Sequence, residues 1–270
     1  MKGMTLGQYY PADSVLHRMD PRIKILCTIA FIVASFLCMN FFAFILLVAS
    51  AVALIFLSRI PLKVVLRSVR PLIFIMAFTA VLNIFWVTDA GADPLFHWHF
   101  ITIYEKGLYH ALCILLRIVA MVIGTSLFLT YTTSPIALTD AIERLLYPLA
   151  KLHVPVHTFA MMMTIALRFI PTIVDETDKI MSAQKARGAD FETGNIFQRA
   201  KALVPILVPL FISAFRRADE LATAMECRCY HGGEGRTALR VLRYKTADWL
   251  VLTAFLVLTA GIIALKKFGF

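Results

Sequence analysis

The sequence is poor in charge. Only 16% of its 270 residues are Asp, Glu, Lys or Arg, whereas 60% are hydrophobic, and its mean hydropathy is +0.77. This balance lies well outside the range of soluble globular domains. The composition therefore predicts an integral membrane protein.

Acidic residues are absent from every long apolar run. Runs long enough for a membrane-spanning helix, which needs roughly 17–25 residues, are Ile25 to Leu57, Pro71 to Val87, Gly107 to Tyr131 and Trp249 to Leu265. The first run has 33 residues, which is too long for one span. We predict that it forms a hairpin of two short helices that turns near Asn40, which gives about five transmembrane helices in an all-α polytopic fold.

The lack of carboxylates in these runs disfavours a carrier driven by an ion gradient, because ion coupling needs a titratable or coordinating group at membrane depth. Arg117 is the one charged residue well inside a run. Two interpretations are open for it, a residue of a transport pathway or a structural pairing with a backbone carbonyl or another partner. The second is favoured, since no acidic residue lies near it in the sequence.

A phosphate-binding loop that ends in Gly-Lys-Ser/Thr is also missing, so the chain cannot bind ATP in that way, and energy, if used, must come from a partner. Cys227, Cys229 and His231 lack the two-residue gap of ordinary zinc sites and have no second ligand pair nearby. We predict no catalytic, cofactor or metal site in this chain. The five cysteines are expected to be reduced thiols.

The net charge of +10 is concentrated at the ends of the apolar runs. The bases that flank the first run are Arg18, Arg22 and Lys24 before it and Arg59, Lys63, Arg67 and Arg70 after it. The positive-inside rule places both ends of this run, and with them the N-terminus, in the cytoplasm. We attribute the charge to membrane orientation and anionic headgroups rather than to nucleic-acid binding.

A long polar segment separates the fourth and fifth predicted spans. Residues 132–248 carry 15 Lys or Arg and 12 Asp or Glu, so we predict a membrane part over 1–131, a cytoplasmic region over 132–248 and a last transmembrane helix in 249–270. Ser134 and Pro135 are typical of a helix start. The apolar spacing that follows, Leu138, Ile142, Leu145, Leu149 and Leu152, predicts an amphipathic helix at the membrane surface.

Two longer helices are predicted after it, each apolar at first and charged at its end. Aligning Arg187 with Arg228, 41 residues later, also aligns Asp178 with Asp219, which suggests a repeated unit. Each repeat ends in an arginine between small residues. Taken alone, "KARG" is a helix C-cap with bases at the negative end of the dipole; its duplication favours two docking ends that seek carboxylates or carbonyls on other proteins.

The chain resembles the transmembrane coupling subunit, or T component, of energy-coupling factor (ECF) transporters, the CbiQ-like family. The resemblance covers nearly the whole chain and rests on "GQYYPADSVLHRMDPRIKIL", "SPIALTDAIERLLYPLAKLHVP", "LRFIPTIVDETDKIMSAQKARGAD" and "AFRRADELATAMECRCYHGGEGRT". It implies a non-catalytic subunit in a bacterial cell membrane, with three coupling helices, the two long ones crossing. Its partners would be two ATP-binding-cassette subunits, EcfA and EcfA-prime, which hold ATP and Mg, and an S component that captures a vitamin or transition-metal ion.

The family's two Ala-Arg-Gly-type motifs map onto two sets of residues here. The first is intact as Ala186, Arg187 and Gly188, and the second keeps its arginine but replaces the small neighbours, as Cys227, Arg228 and Cys229. The resemblance implies that these ends dock on the ATPases. It also implies that apolar residues earlier in both helices contact the S component, namely Met161, Met162, Leu167, Phe169, Leu207, Leu210 and Phe211.

Two other functions fit the sequence less well. A stand-alone channel or secondary carrier is disfavoured by the lack of buried carboxylates and by the large helical cytoplasmic region. A membrane-bound enzyme is disfavoured because its candidate His and Cys ligands are scattered. Nothing in the sequence identifies the transported solute.

Overall fold

The computed structural model describes residues 9–38, 40–86, 96–98, 101–152, 154–191, 195–232 and 242–268. The elements are α1 (Val15–Arg18), α2 (Pro21–Leu37), α3 (Phe41–Ser58), α4 (Leu62–Val69), α5 (Ile73–Trp86), β1 (Phe96–Trp98), β2 (Ile101–Ile103), α6 (Glu105–Thr125), α7 (Pro135–Leu146), α8 (Val156–Ala186), α9 (Ile196–Glu226) and α10 (Thr246–Phe268). Helices thus make up nearly all of the regular structure, which confirms the all-α polytopic class. The short antiparallel pair β1–β2 was not predicted.

The described residues fall into two compact units. One contains 139–232, and the other contains 9–138 together with 242–268. In the second unit, which we call the membrane unit, α2 and α3 form the predicted hairpin, because α2 ends at Leu37 and Asn40 is the N-cap of α3. The division into 1–131, 132–248 and 249–270 with respect to the membrane stays a prediction.

Six stretches of the described chain are long and apolar enough to cross a membrane, by length and composition alone. They are Phe41–Ser58, Leu62–Phe85, Glu105–Tyr131, Val156–Ala186, Phe197–Glu226 and Thr246–Lys266. Four of them contain predicted spans, while the predicted span in α2 has 17 residues and is not among the six. The other two are the long helices α8 and α9, whose first halves are as apolar as a span.

Close packing joins α2, α6 and α10 in the membrane unit. Phe31 and Phe128 are fully buried, and both contact Phe255 edge to face, at ring-centroid distances of 6.2 and 5.3 Å. Gly124 lets α6 approach α2, since a Cβ there would lie 2.3 Å from the ring of Phe31. Small residues at such contacts are typical of helices that associate in lipid, where packing replaces the hydrophobic effect.

Arg117 has a structural role at the α2–α3 turn. Its Nη2 donates a 2.6 Å hydrogen bond to the carbonyl oxygen of Cys38, directly after α2, and its guanidinium lies 5.4 Å from the ring centroid of Phe44. Asn40, in the same turn, donates to the carbonyl oxygen of Leu265 in α10. Arg117 therefore satisfies a helix-end carbonyl, in agreement with the favoured interpretation.

A polar cluster holds the first turn of α2, and we call it the polar clamp: Asp20, Arg22 and Lys24 with their partners Thr132, Thr133, Leu242, Tyr244 and Asp248. The Lys24 ammonium is 1% exposed and donates to the Thr132 carbonyl at 2.7 Å and the Thr133 hydroxyl at 3.3 Å. Those two acceptors follow a π-helical turn, Ser126–Tyr131, that ends α6. The clamp thus joins the first turn of α2 to the residues that follow α6.

The same turn of α2 also binds the residues at the start of α10. Asp248, 1% exposed in the first turn of α10, accepts the backbone N–H of Asp20 at 3.1 Å and that of Lys245 at 2.8 Å. Arg22 donates to the Leu242 carbonyl at 2.9 Å and lies over the ring of Tyr244 at 4.6 Å. Attraction from the carboxylates of Asp248 and Asp20 opposes the cost of burying the Lys24 ammonium.

We expect Gly124→Ala to destabilise the protein by about 1–3 kcal/mol, because the new methyl group overlaps a buried ring that Phe255 holds in place. The measurement is the midpoint of thermal unfolding of the purified protein in detergent. Gly261→Ala, in α10, is the matched control, since a Cβ at that position meets nothing within 4 Å. Equal midpoints for the two variants would contradict this account of α2–α6 packing.

We expect Asp248→Asn to lower the free energy of unfolding by about 3–5 kcal/mol, because it leaves the Lys24 ammonium with less compensation and presents an amide donor to a backbone N–H. The thermal midpoint in detergent measures this loss. Asp219→Asn, at an exposed position of α9, is the control. A midpoint for Asp248→Asn no lower than that of the control would show that the polar clamp does not stabilise the fold.

Candidate functional site

The long helices α8 and α9 contact each other through an ion pair. Arg217 Nη2 donates to Glu176 Oε2 at 2.9 Å, and Gln184 donates to the carbonyl oxygen of Pro205 at 3.4 Å. Gln184 comes after Glu176 in α8, but its partner Pro205 comes before Arg217 in α9. The two helices therefore run in opposite directions past this contact. Both continue without interruption through their internal prolines, Pro171, Pro205 and Pro209.

The contact joins positions that the repeat makes equivalent. Glu176 and Arg217 are 41 residues apart, the same separation as Arg187 and Arg228. Two further pairs with this separation, Phe169 with Leu210 and Ile173 with Ala214, line one apolar cavity of about 360 Å³ beside the ion pair. The two copies of the suggested repeat thus pack against each other through equivalent residues, as in a local two-fold symmetry. The sequence alone does not reveal this packing.

The ion pair also lies at the point in each helix where exposed large apolar side chains end. The large apolar side chains that are exposed on α8 and α9 all precede it, from Phe159 to Ile173 and from Phe197 to Phe215. Of the predicted S-component contacts, Phe169, Leu207, Leu210 and Phe211 line the cavity. Met162 is 55% exposed, and Met161 and Leu167 are half-buried.

The first helix end closes with a Schellman-type cap. The N–H of Gly188 bonds to the Lys185 carbonyl at 3.0 Å, and the N–H of Ala189 reaches back to the Gln184 carbonyl at 3.0 Å. This geometry needs a left-handed residue at the turn, and Gly188 supplies it with φ +87°. Ala186, Arg187 and Gly188 are all exposed.

The second helix end has the same cap, 41 residues later. The N–H of Cys229 bonds to the Glu226 carbonyl at 2.9 Å, and that of Tyr230 to the Met225 carbonyl at 3.0 Å. Cys229 occupies the left-handed position with φ +56°, where most residues with a Cβ are strained. Cys227, Arg228 and Cys229 are exposed.

The two caps present their arginines in the same way. Within the described residues neither Arg187 nor Arg228 donates a side-chain hydrogen bond or forms an ion pair. Each lies 11 residues beyond the ion pair of its own helix, about 16 Å along the axis. Because the helices run in opposite directions, Arg187 and Arg228 lie on opposite sides of the ion pair, a placement suited to two separate acceptors.

A metal-binding alternative gains no support from the part of the chain that the structure describes, which holds no group of three His, Cys, Asp or Glu side chains placed for a metal. His231 bonds through Nδ1 to the backbone carbonyl of Cys229 at 2.7 Å. The sequence alone does not reveal the polar clamp, although three of its four charged residues stand together in "DPRIK".

We expect Cys229→Gly to stabilise the second cap by about 1 kcal/mol and Gly188→Ala to destabilise the first by a similar amount. Both positions have left-handed backbone, which glycine adopts without strain and a residue with a Cβ does not. Hydrogen exchange of the cap amides measures both: the Tyr230 N–H should exchange more slowly in the first variant, and the Ala189 N–H faster in the second. Cys227→Gly, outside the left-handed position, is the control and should not slow exchange at Tyr230.

Comparisons with known proteins identify the family of this chain. Residues 12–239 match the family model CbiQ, described as cobalt transport protein. The chain is 53% identical over 258 residues to a protein of Clostridium kluyveri (96% of this chain, 95% of that one), and 52% identical over 266 residues to one of Thermosediminibacter oceani (97% and 98%). A Bacillus subtilis protein is 46% identical over 266 residues (98% and 99%).

These three relatives carry the name energy-coupling factor transporter transmembrane protein EcfT. The match extends over nearly all of both chains, and it includes both helix ends and the polar clamp. Multiple apolar helices and this similarity make the chain a multi-pass membrane protein. It belongs to the CbiQ family, among the transmembrane components of energy-coupling factor transporters.

Proposed function

We propose that this chain couples ATP hydrolysis by two cytoplasmic ATPase subunits to solute uptake through a separate membrane S component. The observation that carries the proposal is the pair of identical helix caps, each of which presents an exposed arginine with no partner in the described chain. A guanidinium forms strong paired hydrogen bonds with carboxylates. Two such ends suit two similar receivers.

The mechanism follows from the geometry of α8 and α9. Closure of the ATPases on ATP would change the distance between their docking grooves and so move the two arginine ends relative to each other. The Glu176–Arg217 pair sits between these ends and the apolar halves of both helices. Movement of the ends is therefore transmitted through this contact to the apolar surface beyond it.

The S component would be held by that apolar surface. Leu207 and Phe211 are 48% and 61% exposed, and both line the cavity beside the ion pair. Exposed apolar area of this extent calls for lipid or a protein partner. A change in the angle between α8 and α9 would change the shape of the cavity and so alter how tightly the S component is bound.

In the proposal the N-terminus lies in the cytoplasm, because basic residues flank both ends of the first apolar run. This chain performs no chemistry in the proposal; ATP and Mg are held by the partner ATPases. The solute, a vitamin or a transition-metal ion, is recognised by the S component.

The test is to change Arg187→Glu and Arg228→Glu together, express the variant with its partner subunits and count the ATPase subunits that copurify. We expect the double variant to lose both ATPases and each single variant to lose one, because a carboxylate repels the acidic acceptor that an arginine binds. Arg199→Glu with Lys201→Glu, at exposed positions in the first turns of α9, is the matched control. Full ATPase stoichiometry with normal uptake in the double variant would overturn the proposal.

A further inference from the structure

The short helix α4 carries a basic face that the coupling mechanism does not use. Between Asp20 and Asp89 the sequence has no acidic residue and six basic ones. Two of the six, Arg22 and Lys24, donate to acceptors in the polar clamp. The other four form what we call the basic face: Arg59, Lys63, Arg67 and Arg70.

The basic face is exposed and uncompensated. All four side chains are exposed, and none forms an ion pair or donates a side-chain hydrogen bond within the described residues. Lys63, Arg67 and Arg70 follow the four- and three-residue spacing that places side chains on one side of a helix. Four like charges so close together repel one another unless an anion lies between them.

The rest of α4 fixes this face in place. Val65 and Val69 are buried on the opposite side of the helix, and the Val64 carbonyl accepts a 3.1 Å hydrogen bond from the Tyr131 hydroxyl. Beside the bases, Leu62 and Leu66 are 60% and 62% exposed. A basic stripe next to exposed leucines on a short anchored helix matches the boundary between headgroups and acyl chains.

Arg59 extends the basic face into a cleft of about 500 Å³ at the end of α3, lined also by Asp13, Arg18, Phe56 and Leu57. Arg18 donates two hydrogen bonds to Asp13, at 2.9 and 2.8 Å, and so holds the pKa of that carboxyl below its usual value. The pair is neutral overall, which leaves Arg59 as the uncompensated charge. Arg59 stands at φ +54°, a backbone position that favours glycine.

We propose that the basic face binds the phosphate headgroups of anionic phospholipids, with their acyl chains against Phe56, Leu62 and Leu66. Guanidinium and ammonium groups supply the phosphate ligands, and Phe56, 77% exposed, supplies apolar contact at the mouth of the cleft. Charge complementarity favours this occupant over a neutral lipid. The proposal does not depend on the coupling role, because it involves neither helix end.

Native mass spectrometry of the purified full-length protein in neutral detergent tests the proposal. Phosphatidylglycerol and phosphatidylcholine with the same acyl chains are titrated in parallel. We expect phosphatidylglycerol to bind the wild-type chain at least about tenfold more tightly, and Lys63→Gln with Arg67→Gln to remove this preference, since each base near an anionic surface contributes roughly fivefold in affinity. Equal binding of the two lipids by the wild type would overturn the proposal.

Two matched variants separate charge from folding and from position. Lys63→Arg with Arg67→Lys keeps both charges and should keep the preference, whereas a loss would show that the Gln variant acted through structure. Arg199→Gln with Lys201→Gln removes two exposed bases from α9 and should also keep it. If this α9 variant lost the preference as fully as the α4 variant, net charge rather than the basic face would govern binding, and the proposal would fail.

Two further measurements distinguish a phospholipid from free phosphate and from a protein partner. Millimolar inorganic phosphate should leave bound phosphatidylglycerol in place; full displacement would identify free phosphate as the ligand and overturn the lipid assignment. Copurified partner subunits should be unchanged in the Lys63→Gln, Arg67→Gln variant. Loss of a partner with lipid preference intact would show that the basic face is a protein-docking surface instead.

Discussion

The buried Lys24 ammonium is the constraint on which the membrane unit depends. A lysine this deeply buried is costly unless acceptors and opposite charge surround it. Its acceptors come from the residues just after α6, and the carboxylate of Asp248 comes from the start of α10. One turn of α2 therefore binds both the residues just after α6 and the start of α10, which come before and after residues 139–232 in the sequence.

This arrangement suits a protein whose moving parts are long helices. In the proposed mechanism α8 and α9 transmit force, and a force applied to their ends is useful only if the chain that joins them to the membrane does not yield. Directional hydrogen bonds to a buried ammonium resist displacement better than apolar contacts, which can slide. The same logic applies at the α2–α3 turn, where Arg117 holds the carbonyl of Cys38.

Much of this architecture could be predicted from local patterns. Run length and flanking bases indicated the hairpin at Asn40, and Ser134 with Pro135 indicated the start of α7, where the Ser134 hydroxyl accepts the N–H of Ala137. The polar clamp could not be predicted, because its partners are more than 100 residues apart and only the fold brings them together. The amphipathic spacing continued to Leu152, but regular α-helix ends at Leu146 and a 3₁₀ turn follows, with Pro148 near its start.

The packing of α8 against α9 is a second feature that the sequence could not predict. The repeat with its 41-residue offset was visible in the sequence, but the meeting of Glu176 with Arg217 at equivalent positions is a property of the packed helices. Each helix supplies one of the two charged side chains in this contact.

Cysteine usage at the second end has a practical consequence. Cys27, Cys38 and Cys113 are buried in the membrane unit, whereas Cys227 and Cys229 are exposed on either side of Arg228. A maleimide fluorophore would therefore label the natural protein at one end of α9, with no cysteine engineering. The chain carries its own attachment point for a distance probe, located at one of the two helix ends that are proposed to move during a transport cycle.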